Sequence, residues 1–384
     1  MRAVLIGPVY PYRGGIAHYT TMLARALNER GQDLLLVSFK RQYPQWLFPG
    51  RSDKDPSRSP LEAENAQYWI DPLNPLTWVA TFSRIRRYSP DAIVLQWWTT
   101  FWSPLWCALG MLNRLFLHKP LIYVCHNVLP HERGLLDPIL ARAALRWGTQ
   151  YVVQSSEEKT RLQALIPGAR IDIVRHPIYD MFADRGLSKK QARRQLGLPL
   201  DLPVLLFFGI VREYKGLRDL LTAMPRIEAR LGRVMLVVAG EFWEDKRAYE
   251  KAIQELGIGD SVVLEDRYIP NEEVAVYFSA ADVLVAPYRR ATGSGAVQMA
   301  LGCDCPVVTT CVGELHEVVV DGISGLITKP SDSQALAEGV IRYFEEMAEY
   351  PDRGQRGGDE STSGWETLVT LIEDAGKACE SSSY

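Results

Sequence analysis

The residues with the clearest chemistry are two cations, Arg212 and Lys215, in a short loop of the second half of the chain. An unbroken apolar run at 204–208 precedes them, as expected of a parallel strand that is covered on both faces. Apolar residues at helical spacing follow from Leu217. A strand end beside a helix N-terminus favours anions, because unpaired N–H groups and the helix dipole point outward there. The pair therefore predicts a phosphate-binding corner, with a solvated basic loop as the simpler alternative.

A second loop, made of small residues, precedes another predicted helix. It contains Thr292, Gly293, Ser294 and Gly295, and the helix continues through Ala296. Helix capping alone would explain the threonine or the serine. The two glycines go beyond what capping needs, and they open the helix N-terminus to a ligand. This loop predicts an anion or sugar contact.

Two further loops that follow a predicted strand contain glycine. Gly14 and Gly15 follow the first apolar strand, and Gly240 and Glu241 follow the second strand of the later half. Glycine lets a ligand approach the backbone closely. The first turn lacks the G-x-G-x-x-G spacing of dinucleotide-binding folds, so an ordinary turn is its simplest interpretation.

A polar cluster follows the predicted strand at 121–125. His126, Asn127, His131 and Glu132 lie within seven residues of one another. Open α/β sheets place their ligand-binding groups at the carboxyl ends of strands. A single histidine could equally make a structural hydrogen bond, and both interpretations stay open for His126.

Bulk composition excludes several classes of protein. The formal net charge is −3, which argues against a nucleic-acid partner. Six cysteines are present without paired C-x-x-C spacing, so neither a metal site nor a disulfide framework is predicted. The apolar start of the chain is too short for a signal peptide, and we expect a reducing, cytoplasmic setting.

The longest apolar region, 97–117, contains four tryptophans: Trp97, Trp98, Trp102 and Trp106. A proline, an asparagine and an arginine interrupt it, which argues against a spanning helix. Two interpretations remain. The region is either an interior helix of the first domain or an amphipathic face that meets a membrane or a lipid-like acceptor.

Apolar strands alternate with helical segments in both halves of the chain, which predicts parallel sheets with helices on both faces. The sequence therefore predicts two doubly wound, Rossmann-like domains that face each other across a cleft. We place the first domain at 1–178 and the second at 179–360. A C-terminal helix with a tail, 361–384, is expected to cross back to the first domain. Residues 43–75 are predicted to be mainly loop.

The order of these segments resembles glycosyltransferase family 4, whose members have the GT-B fold. The resemblance extends from Val4 to about Ile372. It depends on a combination of segments: the Gly-Gly loop, HNVLPHE, FFGIVREYKG, VVAGE, ADVLVAPY, ATGSG, CPVVTT and GISGLI. HNVLPHE and ATGSG are similar to a bacterial branch that often builds surface polysaccharides or glycolipids.

The resemblance implies roles for the residues singled out above. Arg212 and Lys215 would neutralise the leaving diphosphate, and His126 would lie near the transferred sugar. The other donor-binding positions would be backbone or nucleotide-pocket contacts, at Gly14, Gly15, Gly240, Glu241, Thr292, Ser294, Gly295 and Ala296.

The chain departs from the family at its commonest signature, two glutamates eight residues apart. Counted back from the CPVV segment, those positions hold Ala291 and Met299, neither of which can bind hydroxyl groups as a carboxylate does. Thr292, Ser294 or Gln298 could substitute.

The function implied by the resemblance is retaining transfer of a sugar from a UDP- or GDP-sugar to a glycan or lipid-linked acceptor. No metal or other cofactor is expected, because the two cations would stabilise the leaving group. The expected location is the cytoplasm, with peripheral contact to the inner membrane face left open. A catalytically silent sugar- or membrane-binding scaffold and an NAD-dependent oxidoreductase are the rival functions.

Overall fold

The computed structural model describes residues 1–44, 46, 48–130, 134–184, 186–347 and 358–381, with only the backbone at 358–363 and 379–381. The chain forms two compact units. Unit 1 comprises Met1–Asp55, Pro60–Arg175 and Ser363–Tyr384, and unit 2 comprises Pro56–Ser59 and His176–Thr362.

The sheet of unit 1 has seven strands in the order β3-β2-β1-β4-β5-β6-β7, and its neighbouring strands pair in parallel. The strands are β1 (Arg2–Ile6), β2 (Asp33–Phe39), β3 (Gln67–Ile70), β4 (Ala92–Trp97), β5 (Leu121–Cys125), β6 (Gln150–Val153) and β7 (Ile171–Ile173). The central strands are buried along their whole length, because helices cover both faces of the sheet. The helices up to β7 are α1 (Gly15–Glu29), α2 (Pro75–Tyr88), α3 (Ser103–Phe116), α4 (Asp137–Leu145) and α5 (Ser156–Leu165).

The sheet of unit 2 has six strands in the order β10-β9-β8-β11-β12-β13, again paired in parallel. The strands are β8 (Val204–Phe208), β9 (Met235–Ala239), β10 (Val262–Glu265), β11 (Val283–Ala286), β12 (Val307–Thr310) and β13 (Gly325–Thr328). The helices are α6 (Lys189–Gln195), α7 (Leu217–Leu231), α8 (Lys246–Glu255), α9 (Asn271–Ala280), α10 (Gly295–Gly302), α11 (Leu315–Val318) and α12 (Ser333–Arg342). The two predicted doubly wound parallel sheets are confirmed.

The last helix, α13 (Gly358–Ser381), belongs largely to unit 1. Leu368, Val369 and Ile372 are fully buried in the same core cluster as Leu5 and Leu23. The helix begins at Gly358, three residues before the start of the predicted C-terminal segment at 361. Its first turns are polar and glycine-containing, so they carry no apolar stripe to read.

The tryptophan-rich region is core and does not form an aromatic surface. Trp97 and Trp106 are fully buried, and Trp102 is nearly so. Trp102 packs against Phe39 with ring centroids 4.4 Å apart. The four tryptophans therefore do not provide a membrane-facing surface. Met111, Leu115 and Phe116 of α3, in the same region, are exposed, so the amphipathic-face interpretation stays a prediction for the outer side of this helix. The prediction that 43–75 is mainly loop missed β3, a four-residue edge strand that is too short for its alternation to be recognised.

Candidate active site

The predicted phosphate corner lies between β8 and α7. Arg212 precedes a short 3-10 turn, Glu213–Lys215, and α7 begins directly after Gly216. Gly216 has φ of +70°, and a Cβ atom there would lie 2.0 Å from the Pro287 carbonyl oxygen. Only glycine tolerates both conditions, so this residue fixes the path of the loop that presents the two cations.

Aromatic rings hold the two cations in place. The Arg212 guanidinium lies 5.4 Å from the ring centroid of Trp243, and the Lys215 ammonium lies 5.6 Å from that of Tyr288. Burial lowers the pKa of Lys215; Tyr214 opposes this shift and Arg212 adds to it. Within the described ranges, no carboxylate pairs with the Lys215 ammonium. An uncompensated, partly desolvated ammonium is a strong attractor for an anion.

A neighbouring cation shows the contrast. Arg289 donates two hydrogen bonds to the Asp219 carboxylate, at 2.8 and 2.7 Å. This bidentate ion pair raises the pKa of Arg289, which is thus neutralised within the protein. Lys215, by contrast, has no carboxylate partner among the described residues.

Gly240 and Glu241 lie beside this corner. A Cβ on Gly240 would lie 2.1 Å from the Gly209 carbonyl oxygen, so a side chain at this position would collide with the residue that follows β8. Glu241 is buried, and its carbonyl oxygen accepts a hydrogen bond from the Val211 N–H at 2.9 Å. This bond holds the start of the segment that leads to Arg212.

The loop of small residues caps α10. The Ser294 hydroxyl accepts a hydrogen bond from the Val297 N–H at 3.3 Å, and it lies 3.0 Å from the Tyr288 hydroxyl. Burial raises the pKa of Tyr288 to about 12, with the Ser294 hydrogen bond opposing, so the phenol keeps its proton. Gly295 and Ala296 form the half-buried first turn of the helix.

Tyr288 joins the cation corner to the start of α10, since its ring faces Lys215 and its hydroxyl reaches Ser294. The parallel pairing of β8 with β11 brings both loops to one edge of the sheet. The predicted residues of the second half are therefore neighbours in space, and Tyr288, which the sequence reasoning did not single out, connects them.

The sequence reasoning also missed Glu314, which lies beyond β12. Glu314 is fully buried, and its pKa is raised to about 8 by burial. The backbone of His176 and Ser294 and the side chain of Gln298 face the carboxyl and oppose this shift. Among the described residues, neither carboxyl oxygen of Glu314 has a partner within hydrogen-bonding geometry. Its place after a buried parallel strand was the signal that could have revealed it.

His126 lies at the carboxyl end of β5 in unit 1, where both of its ring nitrogens have partners. Nε2 lies 2.6 Å from Gln96 Oε1, and Nδ1 lies 3.4 Å from Gln154 Nε2. An amide oxygen only accepts, so the contact with Gln96 is made with Nε2 as the donor. Gln96 and Gln154 were not anticipated from the sequence. His131 and Glu132, of the same predicted cluster, lie outside the described residues.

Gly14 and Gly15 form the start of α1. Gly14 has φ of +101° and is the N-cap, a conformation that favours glycine. A Cβ on either glycine would meet no atom within 4 Å, so space is open beside this turn. Tyr19 on α1 packs edge-on against the His126 ring, with centroids 4.6 Å apart. The turn and the histidine thus belong to one neighbourhood of unit 1.

No group of three or more metal-binding side chains occurs in the portion of the chain that the structure describes. The chain has one Asp-x-Asp sequence, Asp53-Lys54-Asp55, and the Lys54 ammonium lies 4.0 Å from the Asp53 carboxylate. None of the described helices is long and apolar enough to cross a bilayer.

Two family models match most of the chain. Residues 14–177 match the glycosyl transferase 4-like domain, and residues 202–346 match glycosyl transferases group 1. This chain belongs to glycosyltransferase family 4 and has the GT-B fold. The family expected from the order of the motifs is therefore confirmed.

Relatives and one solved structure illustrate the similarity. D-inositol 3-phosphate glycosyltransferase 1 of Catenulispora acidiphila is 32% identical over 243 residues, a match that covers 58% of this chain and 57% of the relative. The match therefore spans little more than half the length of that relative. D-inositol 3-phosphate glycosyltransferase of Frankia alni is 29% identical, covering 87% of this chain and 86% of the relative. The structure of Anabaena HepE in complex with UDP and glucose has a TM-score of 0.72 at 16% identity, covering 97% of this chain and 100% of HepE.

Proposed function

We propose that this chain transfers a sugar from a nucleotide diphosphate sugar, with a UDP- or GDP-sugar as donor. The observation that carries the proposal is the Lys215 ammonium, which is partly desolvated, lacks a carboxylate partner among the described residues and lies near Arg212. Anabaena HepE, which shares the fold, was solved with UDP and glucose. A UDP-sugar is therefore the first donor to test.

The proposed chemistry is departure of the nucleoside diphosphate from the sugar. Negative charge then grows on the phosphate oxygens, and fixed cations in a partly desolvated corner stabilise it. Arg212 supplies a planar fork for two phosphate oxygens and Lys215 a point charge. We propose that these cations make a metal ion unnecessary, and that the acceptor attacks the face from which the diphosphate leaves, retaining the anomeric configuration. NMR of the product anomer tests retention.

The acceptor has two candidates. The relatives named above act on D-inositol 3-phosphate, and a phosphorylated acceptor suits the cations beside the Gly14–Gly15 turn. Lys54 lies there, 3.6 Å from the ring centroid of Tyr12, and Arg13 lies 5.5 Å from that of Phe48. A glycan or lipid-linked acceptor of surface polysaccharide synthesis is the second candidate. Product formation with inositol 3-phosphate, measured against a polyprenyl-diphosphate-linked glycan, decides between them.

A thermal-shift panel of UDP, GDP and ADP tests the donor. A ligand at about a hundred times its dissociation constant stabilises the folded protein by about 2.7 kcal/mol. We expect one nucleotide to raise the melting temperature of the wild type and of the control Arg226→Ala, an exposed position on α7. We expect Lys215→Ala to abolish most of that rise. Absence of any shift, or an equal shift in Lys215→Ala, would contradict the proposal.

The same protein distinguishes the rival functions. A silent scaffold would bind nucleotide but neither transfer nor hydrolyse the donor. An NAD-dependent oxidoreductase would bind and reduce NAD, which absorbance at the nicotinamide band detects.

A further inference from the structure

Three buried side chains around the start of α10 have polar atoms without partners. Thr292 and Gln298 are each 1% exposed and Glu314 is 0% exposed. Within the described residues, five atoms lack a hydrogen bond: Thr292 Oγ1, Gln298 Oε1 and Nε2, and both Glu314 carboxyl oxygens. Buried polar groups are almost always satisfied in folded proteins, so a cluster of five orphans indicates a ligand that completes them.

The backbone brings these side chains together. The Glu314 N–H donates to the Thr292 carbonyl oxygen at 3.0 Å. Gly313 makes this approach feasible, because its φ is +53° and a Cβ there would lie 2.2 Å from the Ala291 carbonyl oxygen. Gln298 follows one helical turn after Ser294, and its side chain faces the Glu314 carboxyl. The loop after β12 and the first turn of α10 therefore form one cluster.

Burial disfavours a negative charge in this cluster. Burial raises the pKa of Glu314 to about 8, and the nearby Glu317 carboxylate also disfavours its ionisation. A protonated carboxyl donates one hydrogen bond and accepts others, as do a hydroxyl and an amide. Neutral groups that both donate and accept suit a neutral polyhydroxylated ligand rather than an anion or a metal ion.

The cluster also continues from the cation corner. Glu314 faces the backbone of Ser294, whose side chain lies 3.0 Å from the Tyr288 hydroxyl. The other end of this chain of contacts is Lys215, 5.6 Å from the Tyr288 ring centroid. A single ligand with an anionic part near Lys215 and a neutral polyol part near Glu314 matches this arrangement.

We infer that Thr292, Gln298 and Glu314 bind the hydroxyl groups of the donor's sugar, while Lys215 binds its diphosphate. The inference rests on the proposed function, because it assigns the sugar half of the same donor. Ala291 and Met299 carry no group that can hydrogen-bond to a hydroxyl. The carboxyl is supplied by the adjacent loop, at Glu314.

Calorimetric titration with matched ligands tests the inference. The probes are UDP against UDP-glucose and GDP against GDP-mannose, and the measured quantity is the affinity of each variant relative to wild type. For Glu314→Ala we expect the affinity for the better-bound sugar nucleotide to fall about tenfold or more, with nucleotide affinity within about twofold of wild type. Glu314→Gln keeps a donor and an acceptor, so it should recover most of the loss.

Two further variants guard against a folding artefact. Thr292→Val is isosteric and should lower only the affinity for the sugar nucleotide, by about threefold to tenfold. Glu338→Gln, an exposed position on α12, is the control and should change nothing.

The outcomes distinguish a failure of the sugar assignment from a failure of the proposed function. If the wild type binds none of the four probes, the proposed function fails, and the inference with it. If it binds nucleotide but every variant changes both ligands of a pair equally, the cluster holds only structural water and the inference alone is overturned. If Glu314→Gln binds the sugar nucleotide as weakly as Glu314→Ala, the assignment of Glu314 as a neutral hydrogen-bonding group is contradicted.

Discussion

His126 in unit 1 and Glu314 in unit 2 both follow a buried parallel strand, yet their surroundings differ. His126 has a glutamine on each ring nitrogen, whereas neither carboxyl oxygen of Glu314 has a described partner. A satisfied buried group positions itself without help, and an unsatisfied one costs free energy until a ligand arrives. The comparison indicates that the Glu314 carboxyl of unit 2 is available to a ligand, whereas the His126 ring is oriented by hydrogen bonds within unit 1.

The largest expected effect is on turnover, and it tests whether the uncompensated charge of unit 2 is functional. We expect Lys215→Ala to lower transfer or donor hydrolysis by about 10²–10³-fold, because a fixed charge beside the leaving diphosphate is lost. The circular dichroism spectrum should be unchanged, since no described carboxylate depends on this ammonium. Arg226→Ala is the control. Near-normal turnover in Lys215→Ala would show that the unpaired ammonium of unit 2 has no role in catalysis.

The next effect is the pH dependence of stability. The pKa of Glu314 is raised from 4.5 to about 8 on folding, so the folded state keeps a proton that the unfolded state releases. Its contribution is complete below pH 4.5 and is lost as the pH rises towards 8. Nearby His176 has its pKa lowered from 6.5 to about 4 by burial, so it is neutral in both states well above pH 6.5.

Between pH 7 and 8 the free energy of unfolding should therefore fall by about 1 kcal/mol more in the wild type than in Glu314→Gln. Denaturant titrations at the two pH values measure this difference. Parallel curves for the two proteins would show that the carboxyl is already ionised in the fold.

A smaller effect is expected at His126. His126→Ala leaves the Gln96 and Gln154 amides without their ring partners, so we expect a loss of about 1–2 kcal/mol in the free energy of unfolding. His316→Ala, at an exposed histidine of unit 2, should stay within about 0.5 kcal/mol of wild type. Unchanged stability in His126→Ala would mean that the two amides find other partners, and the contrast with Glu314 would weaken.

The smallest effect has the opposite sign. Thr292→Val removes a buried hydroxyl that lacks a described partner, and the ligand-free protein should gain up to about 1 kcal/mol of stability. Thr309→Val is the matched control, because the Thr309 hydroxyl donates to the Ala286 carbonyl oxygen at 3.0 Å and its removal should destabilise. Equal losses in the two variants, measured by thermal unfolding, would show that Thr292 is satisfied in solution.

Most of the sheet architecture could be predicted from the sequence, because buried parallel strands are apolar throughout and their helices carry apolar stripes. β8, β9 and β11 are examples, and the cations of the loop after β8 were recognisable by type and position. The short edge strand β3 and the polar first turns of α13 were not, since neither has enough apolar residues to show a period.

The sequence by itself determined that Arg212 and Lys215 follow a buried strand and precede a helix, which is a local arrangement. Tertiary structure alone decided which charge is neutralised: Asp219 pairs with Arg289, and no described carboxylate pairs with Lys215. It also decided that the backbone of Glu314 contacts that of Thr292, an approach that requires glycine at position 313. Burial, pairing and pKa depend on neighbours that are distant in sequence, and strand order brings those neighbours together.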